Sequence, residues 1–248
     1  MTQKIKVGAV SYLNTKPLIY GFEQGMMKDE IDLVIDYPAK VAEMLINDRI
    51  DIGLIPVAAI PLLKELYIIS DYCIACNGEV ASVCLFSDVP VNEIKTVLLD
   101  YQSKTSVALL KILLKEYWKI TPELIFGNEG YENGIKGTTA GLVIGDRAFK
   151  QRAVSAFVYD LGSCWKEMTG LPFVFAVWVS NKRLDRAFVE SFNKANASGV
   201  NNIQNVINAN ATPYYDLLKY YTVNIKYRYL ENYQIALGEF MQKLLLIN

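Results

Sequence analysis

Apolar and polar positions along this chain form short apolar runs that alternate with stretches of helical periodicity. Residues 5–10 are mostly apolar and β-branched, and apolar residues at positions 18, 19 and 22 then recur at helical spacing. A strand followed by a helix is predicted again at residues 31–46 and 51–60. This regular alternation is typical of an α/β lobe with a largely parallel sheet.

The pattern changes around residues 66–86, where two apolar segments flank a polar turn, and we interpret this change as a crossover into a second lobe. Further strands are predicted at residues 96–100, 142–144 and 157–161, and the long apolar segment 173–180 predicts the return crossover. We therefore predict two α/β lobes in a Venus-flytrap architecture with two interlobe crossovers and the ligand cleft between the lobes. The predicted lobes are residues 1–86 plus 180–248, and residues 87–179.

Polar residues gather where the first predicted strand gives way to a helix. Ser11, Asn14 and Thr15 lie where side chains cap a helix and where free backbone N–H groups point outward. Such a terminus suits a carboxylate or a phosphate, although an ordinary capped turn explains the same residues. A second turn of this design follows the strand at 96–100, and there either Ser103 or Thr105 is the predicted N-cap.

A third polar turn follows the predicted strand 142–144. Gly145, Asp146 and Arg147 place a carboxylate and a guanidinium at the carboxyl end of that strand, the side on which α/β sheets bind ligands. A helix cap and a solvated charge explain these residues equally well.

The bulk composition excludes two broad classes of protein. Hydrophobic residues make up 52% of the 248 residues, and the formal net charge is -1. Disordered chains are more polar and nucleic-acid-binding proteins carry a basic field, so we expect a folded protein without a nucleic-acid partner. No apolar targeting segment precedes the first strand, and no run approaches the roughly 20 apolar residues of a membrane span. We therefore predict a cytoplasmic protein without a membrane partner.

The chain contains no histidine. This excludes Ser-His-Asp and Cys-His catalysis and removes the commonest metal ligand. Cys73 and Cys76 have the spacing of a redox or zinc pair, but as strand residues at an odd separation they point to opposite faces. We interpret them as buried structural cysteines and predict no metal.

Four motifs resemble a known family. They are residues 7–18 (VGAVSYLNTKPL), 51–56 (DIGLIP), 78–83 (GEVASV) and 103–110 (SKTSVALL). In this order the motifs resemble the menaquinone-biosynthesis chorismate dehydratase of the futalosine pathway. The resemblance continues through residues 145–148 to the predicted helix near Phe188, and the stretch beyond that helix carries no recognised motif.

The resemblance implies a type 2 periplasmic-binding-protein fold that has been turned to catalysis. It also implies a carbon–oxygen lyase (hydro-lyase) that removes water from chorismate to give 3-[(1-carboxyvinyl)oxy]benzoate without a cofactor. Because chorismate is a dianion, we expect the turns near Asn14 and Thr105 to hold its two carboxylates with backbone amides and hydroxyl groups. Chorismate is thus the expected small-molecule partner, and the protein is expected to be a monomer or a homodimer.

On this resemblance we predict that Asn14, Ser82 and Asp146 are catalytic residues in an E1cB-like elimination. Asn14 is expected to orient the leaving hydroxyl or the enolpyruvyl group, and Ser82 to donate to a carboxylate. The base is either the substrate's own enolpyruvyl carboxylate or a protein carboxylate, for which Asp146 and Glu79 have the best placement. The predicted substrate-binding residues are Ser11, Glu79, Thr105, Ser106 and Gly145.

Three other classes compete with the dehydratase. A non-catalytic solute-binding protein for a small carboxylate has the same architecture, but it needs an export signal. The other binding-protein-fold enzyme of the same pathway, which makes 1,4-dihydroxy-6-naphthoate, is expected to need a catalytic histidine. A ligand-sensing domain of a transcription regulator would be accompanied by a basic helix-turn-helix segment.

Overall fold

A computed structural model describes residues 4–247 of the chain, which fold into two compact units. The first unit contains the chain up to Ala75 and the segment Val174–Glu231, and the second contains Cys76–Phe173 and the chain from Asn232 onward. Each unit has its own mixed β-sheet with helices, as predicted for an α/β protein. Within residues 4–247, no helix combines the length and the apolar character that a membrane span requires.

The strands belong to a six-stranded sheet in the order β11-β4-β10-β3-β1-β2 and to a five-stranded sheet in the order β7-β6-β8-β5-β9. Their bounds are β1 Ile5–Val10, β2 Ile31–Asp36, β3 Ile52–Pro56, β4 Tyr67–Cys76, β5 Val83–Ser87, β6 Thr96–Leu99, β7 Glu123–Phe126, β8 Thr139–Ile144, β9 Phe157–Asp160, β10 Phe173–Ser180 and β11 Lys226–Arg228.

The helices include α-helices, short 3-10 helices and two π-helical segments. The α-helices are α1 Lys16–Glu23, α2 Pro38–Ile46, α3 Lys104–Ile112, α4 Asp146–Arg152, α5 Leu161–Thr169, α6 Arg186–Asn201, α7 Ile203–Ala209, α8 Leu217–Lys219 and α9 Glu231–Leu245. The 3-10 helices are Leu13–Thr15, Val57–Leu62, Val91–Glu93 and Tyr131–Gly134, and the π-helical segments are Leu113–Trp118 and Tyr220–Asn224.

The first sheet is built around β1, which lies between β2 and β3 and runs parallel to both. β10 runs antiparallel to β3, so this sheet is mixed and not largely parallel. Helices α1 and α6 approach each other closely because glycines face the partner backbone. A Cβ atom at Gly21 would lie 2.3 Å from the carbonyl oxygen of Ala195, and one at Gly199 would lie 2.1 Å from that of Pro17.

In the second sheet, the ends of several strands that lead into helices lie at the same end of the sheet. β6 runs parallel to β7 and β8, whereas β5 runs antiparallel to β8 and β9. The carboxyl ends of β6, β8 and β9 therefore lie at the same end of the sheet as the amino end of β5. Helices α3, α4 and α5 all begin there. We call this the carboxyl end of the second sheet.

The unit boundaries differ from the predicted division of the chain. The sequence pattern places residues 80–86 in the first lobe, whereas β5 pairs with β8 and β9 in the second sheet. The pattern also places residues 180–248 together, but Phe240 of α9 packs edge-to-face on Trp165 and Phe173 in the second unit. Helical periodicity shows which face of a helix is buried but not which sheet covers it.

Candidate functional site

In the first unit, the polar turn after β1 is a 3-10 turn that precedes α1. The backbone N–H of Thr15 donates to the carbonyl of Tyr12 at 3.0 Å. Thr15 is the residue before α1, yet no side chain caps that helix, and its hydroxyl instead donates to the Asn14 side chain at 3.3 Å. The predicted capping role of Ser11, Asn14 and Thr15 is therefore wrong: the Thr15 hydroxyl is directed to Asn14, and Pro17 in the first turn of α1 has no N–H to be capped.

Asn14 is held by a residue distant in the sequence. The hydroxyl of Tyr227 on β11 donates to the backbone carbonyl of Asn14 at 3.0 Å, across 213 positions of the chain. Tyr227 is buried, and burial raises the pKa of its hydroxyl, so the group stays protonated and remains a donor. Nothing in the local sequence around Tyr227 indicates this contact. The side chain of Asn14 is half-buried and Ser11 is exposed.

In the second unit, Ser82 closes a strained turn before β5. Its backbone N–H donates to the carbonyl of Val80 at 2.8 Å, and Ala81 between them has φ 66°, which is rare for a residue with a Cβ. The carbonyl of the fully buried Ser82 accepts a hydrogen bond from the N–H of Gly145 at 2.8 Å. Two predicted site residues from distant segments are thus joined directly.

Asp160, at the end of β9, holds this strained turn in place. Its carboxylate accepts hydrogen bonds from four backbone N–H groups, at 2.8 to 3.1 Å, which belong to Val80, Ala81, Gly162 and Ser163. Burial raises the pKa of Asp160, and these donors oppose that rise because they stabilise the ionised form. Asp160 is not among the predicted site residues, since one acidic residue at a strand end is a common N-cap.

Glu79 directly precedes the same turn and forms an ion pair with Arg152. Arg152 of α4 approaches Glu79 at 3.6 Å and Asp160 at 3.2 Å, and it also donates to the carbonyl of Ala81 at 2.9 Å. Asp160 and Arg152 therefore both hydrogen-bond to the backbone of the turn that leads to Ser82.

Gly145 and Asp146 form the turn between β8 and α4. Gly145 has φ 63° and ψ -149°, a conformation that is essentially restricted to glycine. Asp146 begins α4 and is half-buried. Arg147, for which the sequence left a site role and a solvated charge open, is ion-paired at 2.6 Å with Asp100, whose side chain is buried.

The start of α3 is capped by Ser103, one of the two predicted candidates. The Ser103 hydroxyl accepts a hydrogen bond from the N–H of Ser106 at 3.2 Å, and the two hydroxyl oxygens lie 3.0 Å apart. Thr105 and Ser106 are buried in the first turn of the helix. Because the first N–H groups of a helix point along its axis beyond the N-terminus and have no intrahelical acceptor, this turn suits an anion.

The structure groups the predicted residues by unit. Ser11 and Asn14 belong to the first unit. The other residues belong to the second unit and lie in the turns at the carboxyl end of the second sheet; they are Glu79, Ser82, Thr105, Ser106, Gly145 and Asp146.

The cysteines are buried and free. Burial raises the pKa of the thiol of Cys73, so this group is a poor nucleophile and metal ligand. Over the described range 4–247, no group of three or more His, Cys, Asp or Glu side chains is arranged to hold a metal ion.

Comparison with known proteins identifies a family and a fold. Residues 5–245 match a family described as menaquinone biosynthesis. The chorismate dehydratase of Thermus thermophilus is 31% identical over 235 residues, which cover 84% of this chain and 84% of that protein.

Solved structures agree with the predicted architecture. A protein of Archaeoglobus fulgidus has a TM-score of 0.75 at 16% identity, covering 99% of this chain and 98% of its own. A Candida albicans gene product, described as exhibiting the generic periplasmic binding protein structural fold, has a TM-score of 0.63 at 12% identity, covering 99% of this chain and 90% of its own. At such identities these structures show the fold alone, and the predicted periplasmic-binding-protein-like fold is confirmed.

Proposed function

The chain belongs to the menaquinone-biosynthesis family, and from this premise we propose that it is a chorismate dehydratase of the futalosine pathway. The reaction removes one water from chorismate and gives 3-[(1-carboxyvinyl)oxy]benzoate, which makes the enzyme a hydro-lyase. The observation that carries the proposal is the similarity to the Thermus thermophilus chorismate dehydratase over most of the chain, together with the family match along residues 5–245. We further propose that the protein works in the cytoplasm, in keeping with a biosynthetic role.

The geometry of the second unit supports the binding of a carboxylate. Ser82, the start of α3 and the β8–α4 turn lie at one end of the sheet, where N-terminal helix amides and hydroxyl groups supply hydrogen-bond donors for an anion. Thr105 and Ser106 are proposed to donate to one carboxylate of chorismate, and Ser82 to donate alongside them. Glu79 and the backbone of Gly145 are proposed to line the same substrate site.

The first unit is proposed to supply the group that orients the reacting part of the substrate. The side-chain amide of Asn14 both donates and accepts hydrogen bonds, so it suits either the leaving hydroxyl or the enolpyruvyl group. Tyr227 holds the backbone carbonyl of Asn14, and the side-chain oxygen of Asn14 accepts a hydrogen bond from Thr15 at 3.3 Å. Ser11, which is exposed, is a further proposed contact.

The proposed elimination is E1cB-like. The proton on the ring carbon that bears the enolpyruvyl ether is removed first, and the electron pair of that C–H bond delocalises into the ring carboxylate. The neighbouring C–O bond then breaks, the hydroxyl leaves with a proton as water, and the ring becomes aromatic. Preorganised donors around the ring carboxylate would stabilise the charge that develops on it.

The base in this scheme is proposed to be the substrate's own enolpyruvyl carboxylate. A carboxylate held beside the ring proton reacts intramolecularly and gains a large effective concentration. The alternative bases are Asp146, which is half-buried at the start of α4, and Glu79, which pairs with Arg152 at 3.6 Å.

The deciding experiment is to incubate the purified protein with chorismate, without added metal or cofactor, and to follow the products by chromatography and mass spectrometry. Conversion to an aromatic ether that is lighter by one water would establish the dehydratase. Chorismate that stays intact but raises the melting temperature would instead support a solute-binding protein for a small carboxylate, the second candidate, which the binding-protein fold favours. If the protein neither converts chorismate nor is stabilised by it, both candidate functions are contradicted.

A further inference from the structure

A buried ion pair links two of the turns at the carboxyl end of the second sheet. Asp100 directly follows β6, is 1% exposed and lies 2.6 Å from a guanidinium nitrogen of Arg147 in the first turn of α4. The same nitrogen donates to the side-chain oxygen of Gln102 at 3.1 Å. Burial raises the pKa of Asp100, and the Arg147 guanidinium opposes that rise.

Tyr131 and Glu132 make additional contacts with the Asp100–Arg147 ion pair. The hydroxyl of Tyr131 donates to the Asp100 carboxylate at 2.8 Å, and the second guanidinium nitrogen of Arg147 lies 2.6 Å from Glu132. The ring of Tyr131 packs over Gly127, where a Cβ would lie 2.4 Å from the ring carbon Cγ. The buried Asp100 carboxylate thus has several hydrogen-bond donors, and the partly buried Arg147 guanidinium has two carboxylate partners.

The second oxygen of Asp100 shapes the turn that leads into α3. It accepts a hydrogen bond from the N–H of Gln102 at 2.8 Å. The next residue, Ser103, caps α3 because its hydroxyl accepts a hydrogen bond from the N–H of Ser106. Two side-chain hydrogen bonds therefore fold the chain from Asp100 to Ser106, one from Gln102 to Asp100 and one from Ser106 to Ser103. Arg147 contacts this segment at both Asp100 and Gln102.

We infer that Arg147, Asp100 and Tyr131 are positioning residues that place the first turn of α3 to receive a substrate carboxylate. This inference rests on the proposed function for the identity of the ligand. Arg147 itself is already paired with two carboxylates, so it acts through Ser103, Thr105 and Ser106 and not by binding the substrate.

The first test follows amide hydrogen exchange and needs no enzyme activity. In an Arg147→Met variant of the full chain, we expect the N–H of Ser106 to exchange about tenfold faster or more. The N–H groups of Gly162 and Ser163 at the start of α5 should not change, because Asp160 caps them independently. Lys243→Met, which breaks the ion pair of that lysine with Glu116 elsewhere in the second unit, is the matched control.

The second test is kinetic. Arg147→Met should raise KM for chorismate about tenfold while kcat changes less than about threefold, because the lost interaction holds the substrate in both ground state and transition state. Lys243→Met should change neither constant. If Arg147 acts through the cap, Ser103→Ala combined with Arg147→Met should raise KM no further than the worse single variant does.

The outcomes separate this inference from the proposed function. Equal acceleration of exchange at the starts of α3 and α5, no change at Ser106, or additive effects on KM would overturn the positioning role. An inactive wild-type protein would overturn the proposed function, while the exchange experiment would still decide whether the network positions α3. If Arg147→Met does not fold, Tyr131→Phe replaces it, because this change removes one hydrogen-bond donor to Asp100. The same changes in Ser106 exchange and in KM are then expected, but smaller.

Discussion

The turn at the start of α1 and the turn at the start of α3 have the same sequence design and are held in different ways. At α3, Ser103 caps the helix with its own side chain, three residues from the N–H that it accepts. At α1, no side chain caps the helix, and the turn is held by Tyr227 from the other end of the unit's sequence. A strand, a polar turn and a helix thus predict where a terminus lies but not what stabilises it.

The largest expected effect lies at the first turn. Under the proposed function, Asn14→Ala should lower kcat by about a hundredfold to a thousandfold, because it removes an oriented amide at the reacting centre. The melting temperature should change little, because the variant keeps the backbone carbonyl that Tyr227 holds and loses one long hydrogen bond, from Thr15 at 3.3 Å. Steady-state turnover of chorismate and thermal unfolding measure the two effects.

The protein carboxylates serve as the comparison for Asn14. Asp146→Asn and Glu79→Gln should each retain activity within about tenfold of wild type, because the substrate is proposed to supply the base. A loss of about a thousandfold from either change would contradict the substrate-assisted elimination and assign the base to that residue.

A smaller effect is expected when the distant support of the first turn is removed. Tyr227→Phe leaves the Asn14 carbonyl without its donor and should lower the free energy of unfolding by about 1–3 kcal/mol. It should also reduce kcat/KM, since Asn14 loses its fixed position. Urea unfolding gives the first quantity, and Tyr67→Phe, whose hydroxyl meets Glu65 at the surface, is a control that should change stability by less than about 0.5 kcal/mol.

A direct comparison of the two turns comes next in size. Ser103→Ala removes a side-chain cap and should cost about 1 kcal/mol of stability. Thr15→Val removes a hydroxyl that does not cap α1 and makes a long hydrogen bond to Asn14 at 3.3 Å, so it should cost less than Ser103→Ala, about 0.5 kcal/mol. Equal losses in urea unfolding would show that the two turns are stabilised alike after all.

The smallest expected effect is a pH dependence that belongs to the second unit. Burial raises the pKa values of Asp100 and Asp160 above the ordinary value of 3.8, so the folded protein holds these protons more tightly than the unfolded chain does. Stability contributed by these two groups should therefore fall as pH rises from 3.8 to the folded pKa values, and it should recover on acidification.

Asp100→Asn tests this dependence. Unfolding free energies measured in urea across that pH range should show a flatter profile for the variant, because one of the two titrating groups is gone. An unchanged profile would mean that Asp100 does not titrate differently in the folded and unfolded states. The slopes of unfolding free energy against pH are compared, and not the absolute values, because the substitution also removes the Asp100 charge that pairs with Arg147.

The class of fold and the positions of most elements could be predicted from the amino-acid sequence. The helix predicted within residues 31–46 begins at Pro38, the strand at residues 5–10 matches β1, and Ser103 was among the predicted caps. These features follow from side-chain period, proline geometry and hydrogen bonds that span a few residues, all of which are local. The motifs of the resemblance indicated the family for the same reason, since each is a short contiguous segment.

The segments that support the site could not be predicted in this way and are seen in the three-dimensional structure. Asp160 reaches Ala81, Arg147 reaches Asp100 and Tyr227 reaches Asn14, each across a long stretch of chain. The pairing of β5 and the packing of α9 in the second unit were decided in the same way. A buried carboxylate or hydroxyl must find a partner, but its own neighbours in sequence do not specify which one; strand register and packing bring the partner to it.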